Sequence, residues 1–496
     1  MSRLLVISIL WLTIPAALAA QTRPVVIGSK TFTESYLLAE MMAQLLESRR
    51  IPVERQTGLG GTLVAFQALL SGEIDAYAEY SGTISHVILN MDGDSTEEEL
   101  AAALAPLGVD LLPRLGFNNT YALTVTRETA AQYALGSISD LTDHPELRFG
   151  LSHEFRNRPD GWPGLKQAYN LPQDSLGIEH GLAYRALLES EIDVTDAYST
   201  DGDLLRYDLV VLEDNLEFFP SYLAVLVARA DLDTGAKAAL SLLADRLNDA
   251  TMRSLNAEVV VEERTFAEVA GAFLLGQGLI TSVQAETQSL WPTLGRNTLV
   301  HLKLTGIAVL LACIAGLGLA LTVYRSPSLS AAVLYVAGLL QTIPSIALLA
   351  LLIPIAGVGQ VPAIIALFLY SLLPIARNAI TALLTIDPLL RRVAVALGLT
   401  EIQQLRHVYV PLALPHVLTG VRIAVVVSIG TATLAAFIGA GGLGEPIVTG
   451  LALNDTGLIL QGAIPAALLA VCAELFFEGL ERWLIPRHLL SAKISG

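Results

Sequence analysis

Cysteine is nearly absent. Of 496 residues only Cys313 and Cys472 are thiols, and both lie in apolar runs, so no disulfide framework holds this chain together. No Gly-Lys pair occurs anywhere, which excludes a P-loop and with it ATP hydrolysis by that route. His153, His180 and His301 lack the partner spacing of a zinc site, so neither a metal nor another cofactor is expected. Basic residues are scarce in one part of the chain. The net charge is −17, yet the residues from Trp291 onward carry 11 Lys+Arg against 7 Asp+Glu, so the first 290 residues are strongly acidic. An acidic exported half and a mildly basic second half argue against nucleic acid as a partner.

Apolar sequence is plentiful. At 53% hydrophobic residues and a mean hydropathy of +0.57, the chain is too apolar for a soluble protein and requires membrane spans beside at least one soluble domain. Residues 1–20 read as a secretory signal: Arg3, an apolar Leu4–Leu18 stretch, and the small-x-small site Ala17-Leu18-Ala19. The half of the chain after this segment is therefore expected to be exported. Leu304–Tyr324 and Ser326–Ala376 are free of charge, and the second is too long for one span of ~20 residues. The break at Gly357–Pro362 divides it. The pattern predicts five spans near 304–324, 331–356, 361–384, 417–440 and 457–477. With the first half outside, Arg325, Arg391, Arg392, Arg406, Arg482, Arg487 and Lys493 all fall inside, and the outer loops hold Glu445 and Asp455. That asymmetry obeys the positive-inside rule. Lys303, Arg377, Arg422, Glu474 and Glu478 lie at or near span ends, where snorkelling competes with pore lining. Gly439–Gly444 comes after a membrane helix rather than leading one beside a strand, so it reads as close packing.

The exported half alternates short β-rich runs with amphipathic segments. Ala68–Asp75 (ALLSGEID) and Ala186–Asp193 (ALLESEID) repeat one helix–turn–strand unit, which suggests two α/β lobes of similar build. Ligands of such lobes sit where strands end and helices begin. Lys30, Tyr80, Thr83, Tyr121, Arg156, Tyr198 and Tyr222 fall at those junctions. Tyr77, Phe218, Phe219 and Trp162 are rival aromatics, and Arg156 has Glu154 and Asp160 as rival partners.

Several of these segments carry a resemblance. GSKTFTES, GEIDAYAEYSGT, FNNTYAL, DAYSTDGDL and FFPSYLAV resemble the binding proteins of osmoprotectant ABC importers, which take up glycine betaine, choline, carnitine and related compounds. LQTIPSIALLALLIP, YSLLPIARN and IGTATLAAFIGAGGLG resemble the permeases of the same systems. Val393–Pro411 (VAVALGLTEIQQLRHVYVP) resembles the cytoplasmic coupling loop that docks into a separate ATPase. The family pattern opens with Glu-Ala-Ala, where this chain has Arg392-Val393-Ala394. The resemblance implies a two-lobed α/β binding-protein fold of type II over residues 21–282, a tether over 283–298, and an all-α type I importer domain over 299–496 with its coupling loop at 387–411. It implies a tyrosine box of Tyr80, Tyr121, Tyr198 and Tyr222 for a quaternary ammonium, with Lys30, Thr83 and Arg156 at its carboxylate end. A fully alkylated nitrogen has no N–H to donate, so ring faces, at ~0.5–2 kcal/mol each, are the suitable partners. The same resemblance implies a separate ATPase engaged through Arg392, Ala394, Gly398 and Pro411, a permease homodimer in lipid, an inner-membrane location, and no covalent chemistry on the ligand. Other readings are an importer of another betaine-like compound such as ergothioneine, and a ligand sensor or channel carrying the same clam-shell domain.

Overall fold

The computed structural model describes residues 23–91, 95–282, 290–453 and 455–485; the expected signal segment and residues 283–289 of the expected tether lie outside them. The acidic half folds as two α/β lobes, each built around its own short strands. The strands are β1 (Val25–Gly28), β2 (Val53–Gln56), β3 (Ala76–Tyr80), β4 (Val109–Asn118), β5 (Tyr121–Thr126), β6 (Phe149–Ser152), β7 (Ser175–Ile178), β8 (Thr195–Tyr198), β9 (Leu209–Val211) and β10 (Leu223–Arg229). The first lobe carries a five-stranded sheet in the order β2-β1-β3-β10-β4, parallel across β1, β2 and β3 and antiparallel at β10. In the second, β8-β5-β9 form one sheet and a bridge from Phe149 to Val194 joins it to the parallel pair β6-β7. The chain crosses between lobes at residues 119–120 and again before β10.

The acidic repeat does the same work in both lobes. Each copy ends a helix (Thr62–Ser71, His180–Leu188) and leads into a strand. Asp75 accepts the backbone N–H of Val26 at 2.9 Å, and Asp193 that of Arg148 at 2.8 Å, tying each unit to the neighbouring parallel strand. The isoleucine before each aspartate packs on a glycine of that strand. A Cβ on Gly28 would stand 2.5 Å from Ile74, and one on Gly150 2.7 Å from Ile192. One frame thus recurs, and each copy carries its final strand to a tyrosine, Tyr80 or Tyr198.

The second half is helical. Among the described residues four helices are long and apolar enough to cross a membrane: Trp291–Val323, Gln360–Leu384, Glu401–Ile438 and Thr456–Leu484. The count reaches five when the expected span 331–356 is taken as one broken span, a helix pair, Pro327–Thr342 and Ser345–Ala356, bent by 96°. The cause is local: Pro344 removes an N–H and holds Ile343 extended, at φ −67° and ψ 126°. Residues 290–298, expected within the tether, are the opening turns of the first long helix. Small residues let the helices approach: Ala308, Ala363, Ala366, Ala432 and Ala435 share one core. Arg422 and Glu474 pair directly, joining helix Glu401–Ile438 to helix Thr456–Leu484.

The lobes rest on the helical domain. Val358, in the loop between the bent pair and the next span, is 1% exposed and packs into the first lobe with Leu59, Phe66 and Leu69. Gly60 meets the Phe437 carbonyl, and a Cβ there would stand at 2.9 Å. Gly439, at φ +74°, lies against Leu59, so the glycine-rich turn packs closely and also receives the first lobe. The second lobe touches at Gly181, which lies against the carbonyls of Leu451 and Ala452. A cavity of about 420 Å³ remains between Gln56–Gly58, Arg296, Gln360, Gly441 and Thr449.

Candidate functional site

The rings converge because strand ends face the cleft. Tyr80 closes β3 and Tyr198 closes β8; Tyr121 opens β5 directly after the crossover and pairs in register with Tyr198. Tyr222 precedes β10, its N–H held 2.7 Å from Asn118 Oδ1. Ring centroids lie 5.2 Å apart for Tyr121–Tyr198 and 5.6 Å for Tyr121–Tyr222, the latter edge to face. Phe155 (4.8 Å) and Phe219 (6.2 Å) flank Tyr121. Tyr80 joins through Phe32, which stands 6.3 Å from Tyr80 and 5.4 Å from Tyr198. The strand pleat settles the rivalry on β3: Tyr77 and Tyr80 lie on opposite faces. Tyr77 enters the core beneath Leu59 and Phe66, its hydroxyl donating to Glu79 at 3.1 Å. Trp162 packs on Phe149, 5.0 Å away.

Two internal cations lie on these rings. Lys30 Nζ is 4.9 Å from the Tyr80 centroid and donates to Glu79 at 2.5 Å. The guanidinium facing the cluster belongs to Arg158, and this corrects the expectation for Arg156. Helix His153–Asn157 ends at Arg158, whose extended backbone (φ −84°, ψ 143°) turns its side chain into the cleft. Arg156 stays exposed on the outer side and donates to Ser175 at 3.1 Å. Arg158 Cζ lies 5.3 Å from the Tyr121 centroid and 5.8 Å from that of Tyr222. It donates to Asp160 at 2.8 Å and to Glu154 at 3.2 Å. From the second lobe it also reaches Thr83 Oγ1 of the first at 3.4 Å. With Thr62 donating to Glu154 at 3.0 Å, the lobes are bonded shut across the cleft.

Carboxylates outnumber cations here. Burial opposes ionisation of Glu154 and Asp160, yet Arg158 outweighs it and holds both below the usual carboxylate range. Burial also works against a charged His180, but Asp201, 3.1 Å away, raises it to about 9. The His180 ring stands 4.8 Å from Tyr198, placing an imidazolium against that ring. Burial pushes the phenols of Tyr80, Tyr121, Tyr198 and Tyr222 up, so all four stay neutral donors.

Sequence alone does not mark Phe32, Arg158, His180 and Glu34 as site residues. Three of them nevertheless lie in the junction segments: Phe32 and Glu34 within GSKTFTES, Arg158 at the end of HEFRNR. On the other side of the membrane domain, Gly398 takes φ +72°, a left-handed turn suited to glycine. Ala394 is buried, whereas Arg392, Gly398 and Pro411 are exposed. Val395, Leu397 and Ile402 present uncovered apolar side chains around them.

Comparison with known proteins gives the family of both halves. Residues 23–275 match the substrate-binding domain of the ABC-type glycine betaine transport system, and residues 308–488 match the inner membrane component of binding-protein-dependent transport systems. The chain is 35% identical over 288 residues to an ergothioneine transport permease/ergothioneine binding protein of Helicobacter pylori (strain G27), covering 56% of this chain and spanning about half (51%) of that relative. It is 44% identical over 187 residues to a glycine betaine/carnitine/choline transport system permease protein of Bacillus subtilis (strain 168), covering 38% of this chain and 82% of the relative. A glycine-betaine-binding protein of Pseudomonas aeruginosa is 34% identical over 290 residues, 54% of this chain and 93% of its own length. The permease match and the apolar helices make this a multi-pass membrane protein with its binding domain facing outward. The chain belongs to the family of glycine-betaine-type substrate-binding domains of ABC importers, fused in one polypeptide to the importer's membrane component.

Proposed function

We propose that the chain binds and translocates a small zwitterion bearing a trimethylammonium and a carboxylate. This class covers glycine betaine, carnitine and ergothioneine. The observation that carries the reading is the convergence of Tyr121 and Tyr222 on one buried guanidinium, Arg158, with the Tyr198 ring 5.2 Å from that of Tyr121. Ring faces and the surrounding carboxylates attract the cation. Arg158, and Lys30 at the Tyr80 end, are the groups that a ligand carboxylate would engage. Choline has no carboxylate and leaves them with only their internal partners, so it ranks lower. Ergothioneine is favoured as a second specific reading by the Helicobacter pylori relative's name.

The signal segment 1–20 is removed on export. Two copies of the membrane domain form the pore in lipid, and a separate ATPase docks at 387–411. There Arg392 stands among uncovered apolar neighbours, Gly398 turns the chain beside the buried Ala394, and Pro411 lies in the long helix that follows. ATP-driven movement of that loop opens the pore, and lobe opening releases the ligand into it. A covalent link keeps the binding domain at high local concentration over its own pore. The test is a calorimetric titration of the purified full chain with glycine betaine, carnitine, ergothioneine and choline. Tyr198→Ala should weaken binding tenfold or more if its ring contributes ~1.5–2 kcal/mol. Unchanged affinity, or tightest binding to choline, would remove the reading.

A further inference from the structure

Glu34 lies in the first turn of helix Thr33–Glu47, 2% exposed, with no lysine or arginine bonded to it among the described residues. Four neutral donors from four separate segments hold it instead. Oε1 accepts the Tyr80 hydroxyl at 2.5 Å and Asn119 Nδ2 at 2.9 Å. Oε2 accepts Thr200 Oγ1 at 2.5 Å and Asn256 Nδ2 at 3.1 Å. Tyr80 belongs to the candidate site, Asn119 to the crossover between lobes, Thr200 to the loop after β8 in the second lobe, and Asn256 to helix Asp249–Val260. Both amides turn their donors to the carboxylate while their own Oδ1 atoms are buried without a partner among the described residues. The carboxylate therefore sets the orientation of Asn119, and shares that of Asn256 with the Thr200 carbonyl, which Asn256 Nδ2 meets at 2.9 Å. The loop it grips is laced to the crossover, Ser199 N–H donating to the Thr120 carbonyl at 2.9 Å and Thr120 N–H to Ser199 Oγ at 3.1 Å.

We propose that Glu34 is a positioning residue that pins the crossover and the second lobe's loop in their closed spacing and, through the same carboxylate, fixes and polarises the Tyr80 ring. A phenol donating to a carboxylate gains electron density on its ring, which strengthens its hold on a cation. Burial raises the Glu34 carboxyl to about 7, against the bonds from Thr200, Tyr80 and Asn256 that favour its ionised form. The charged groups facing it are Asp201, itself bonded to His180 and Tyr184, and the Lys30–Glu79 pair beyond Tyr80. Helix Asp249–Val260 brings the neutral Asn256. A bound cation favours the carboxylate over the acid, so proton uptake by Glu34 and cation binding oppose one another.

Two measurements on the full chain in nanodiscs decide this. The first needs no ligand: hydrogen exchange at pH 8 in wild type, Glu34→Gln and Thr200→Val. The pin predicts exchange at least tenfold faster at residues 118–121 and 199–201, with helix Thr234–Leu240 unchanged. Unaltered protection at the crossover would overturn it. Should Glu34→Gln fail to fold, Thr200→Val, which loses one donor at equal size, carries the comparison. The second rests on the proposed function and titrates glycine betaine at pH 6 and pH 8. Wild type should bind threefold or more tighter at pH 8, and Glu34→Gln should bind weakly and equally at both. A wild type indifferent to pH, or a variant that keeps the dependence, would refute the role in recognition. If wild type takes no glycine betaine at all, the ligand reading falls and the exchange result alone judges the pin.

Discussion

The two lobes share a frame and differ in what they hang on it. In each, an aspartate of the acidic repeat ties its unit to the neighbouring strand, an isoleucine packs on a glycine, and the strand ends in a site tyrosine. Around the first tyrosine, Tyr80, stand Lys30 and a carboxylate on its hydroxyl, Glu34. Around the second, Tyr198, stand the His180 imidazole and the Tyr121 ring. The first lobe thus fixes its tyrosine by the hydroxyl, and the second by the ring face. The frame is a packing solution either lobe can use; the decorations make one cleft wall different from the other.

Breaking the join between the lobes should have the largest effect. Tyr121, 4% exposed, receives rings from the second lobe and from Tyr222. Tyr121→Ala leaves a cavity where both walls meet and should cost ~3–5 kcal/mol, read by chemical unfolding of the binding domain's signal in the full chain. A loss under about 1 kcal/mol would mean the walls do not depend on each other. Next comes the difference in cations. His180 is raised to about 9 from an ordinary value near 6.5, so its charge–partner contribution is fully present below about 6.5 and is lost as pH rises through about 9. Stability should fall by ~3 kcal/mol across that window, and His180→Gln should flatten the curve. A His180→Gln protein with the wild-type slope would assign the dependence to another group.

The shared frame was legible from the sequence because it is local. ALLSGEID and ALLESEID repeat in eight-residue windows, and helix-to-strand transitions arise from periodicity alone. The tyrosines were legible as strand-end residues and by resemblance. What escaped was set by tertiary direction. Arg156 and Arg158 sit two residues apart, and only the extended backbone at Arg158 decides which one enters the cleft. Glu34 reads as a first-turn acid on a helix; its four donors come from residues as distant in sequence as Asn256. The bend at Pro344 also escaped, because charge-free hydropathy marks the length of an apolar run and not its direction.

The lobes can also be compared at the membrane domain. The first meets it through Gly60 against the Phe437 carbonyl, the second through Gly181 against those of Leu451 and Ala452. Backbone atoms cannot give way as side-chain ends can. Gly181→Val should therefore lower uptake of the proposed ligand by proteoliposomes carrying the proposed ATPase about tenfold, with binding affinity in the full chain unchanged. Gly60 also has φ +69°, so Gly60→Val adds strain within its own loop and should lower uptake and stability together. Equal uptake from wild type and Gly181→Val would leave docking to the first lobe alone.

The smallest effect separates the two aspartates of the shared frame. Both accept a backbone N–H, but their cations differ. Asp193 takes Nε and a terminal nitrogen of Arg148, each at 2.9 Å, whereas Asp75 has Arg229 at 3.8 Å and Arg23 at 3.9 Å. Burial opposes the charge on Asp193, and Arg148 overcomes it, holding the carboxyl below its ordinary value. A depressed acid stabilises the fold above its unfolded value near 3.9, and the contribution disappears as pH falls through the folded one. Half of the Arg148 side chain is exposed, so solvent screens the pair. Asp193→Asn should then cost about 1 kcal/mol at pH 7 and little near pH 2, while Asp75→Asn should cost less than about 0.5 kcal/mol at either. Equal losses in the two lobes would show that the backbone bond, which asparagine's carbonyl can still accept, is what the repeat preserves, and that the forked arginine adds nothing to it.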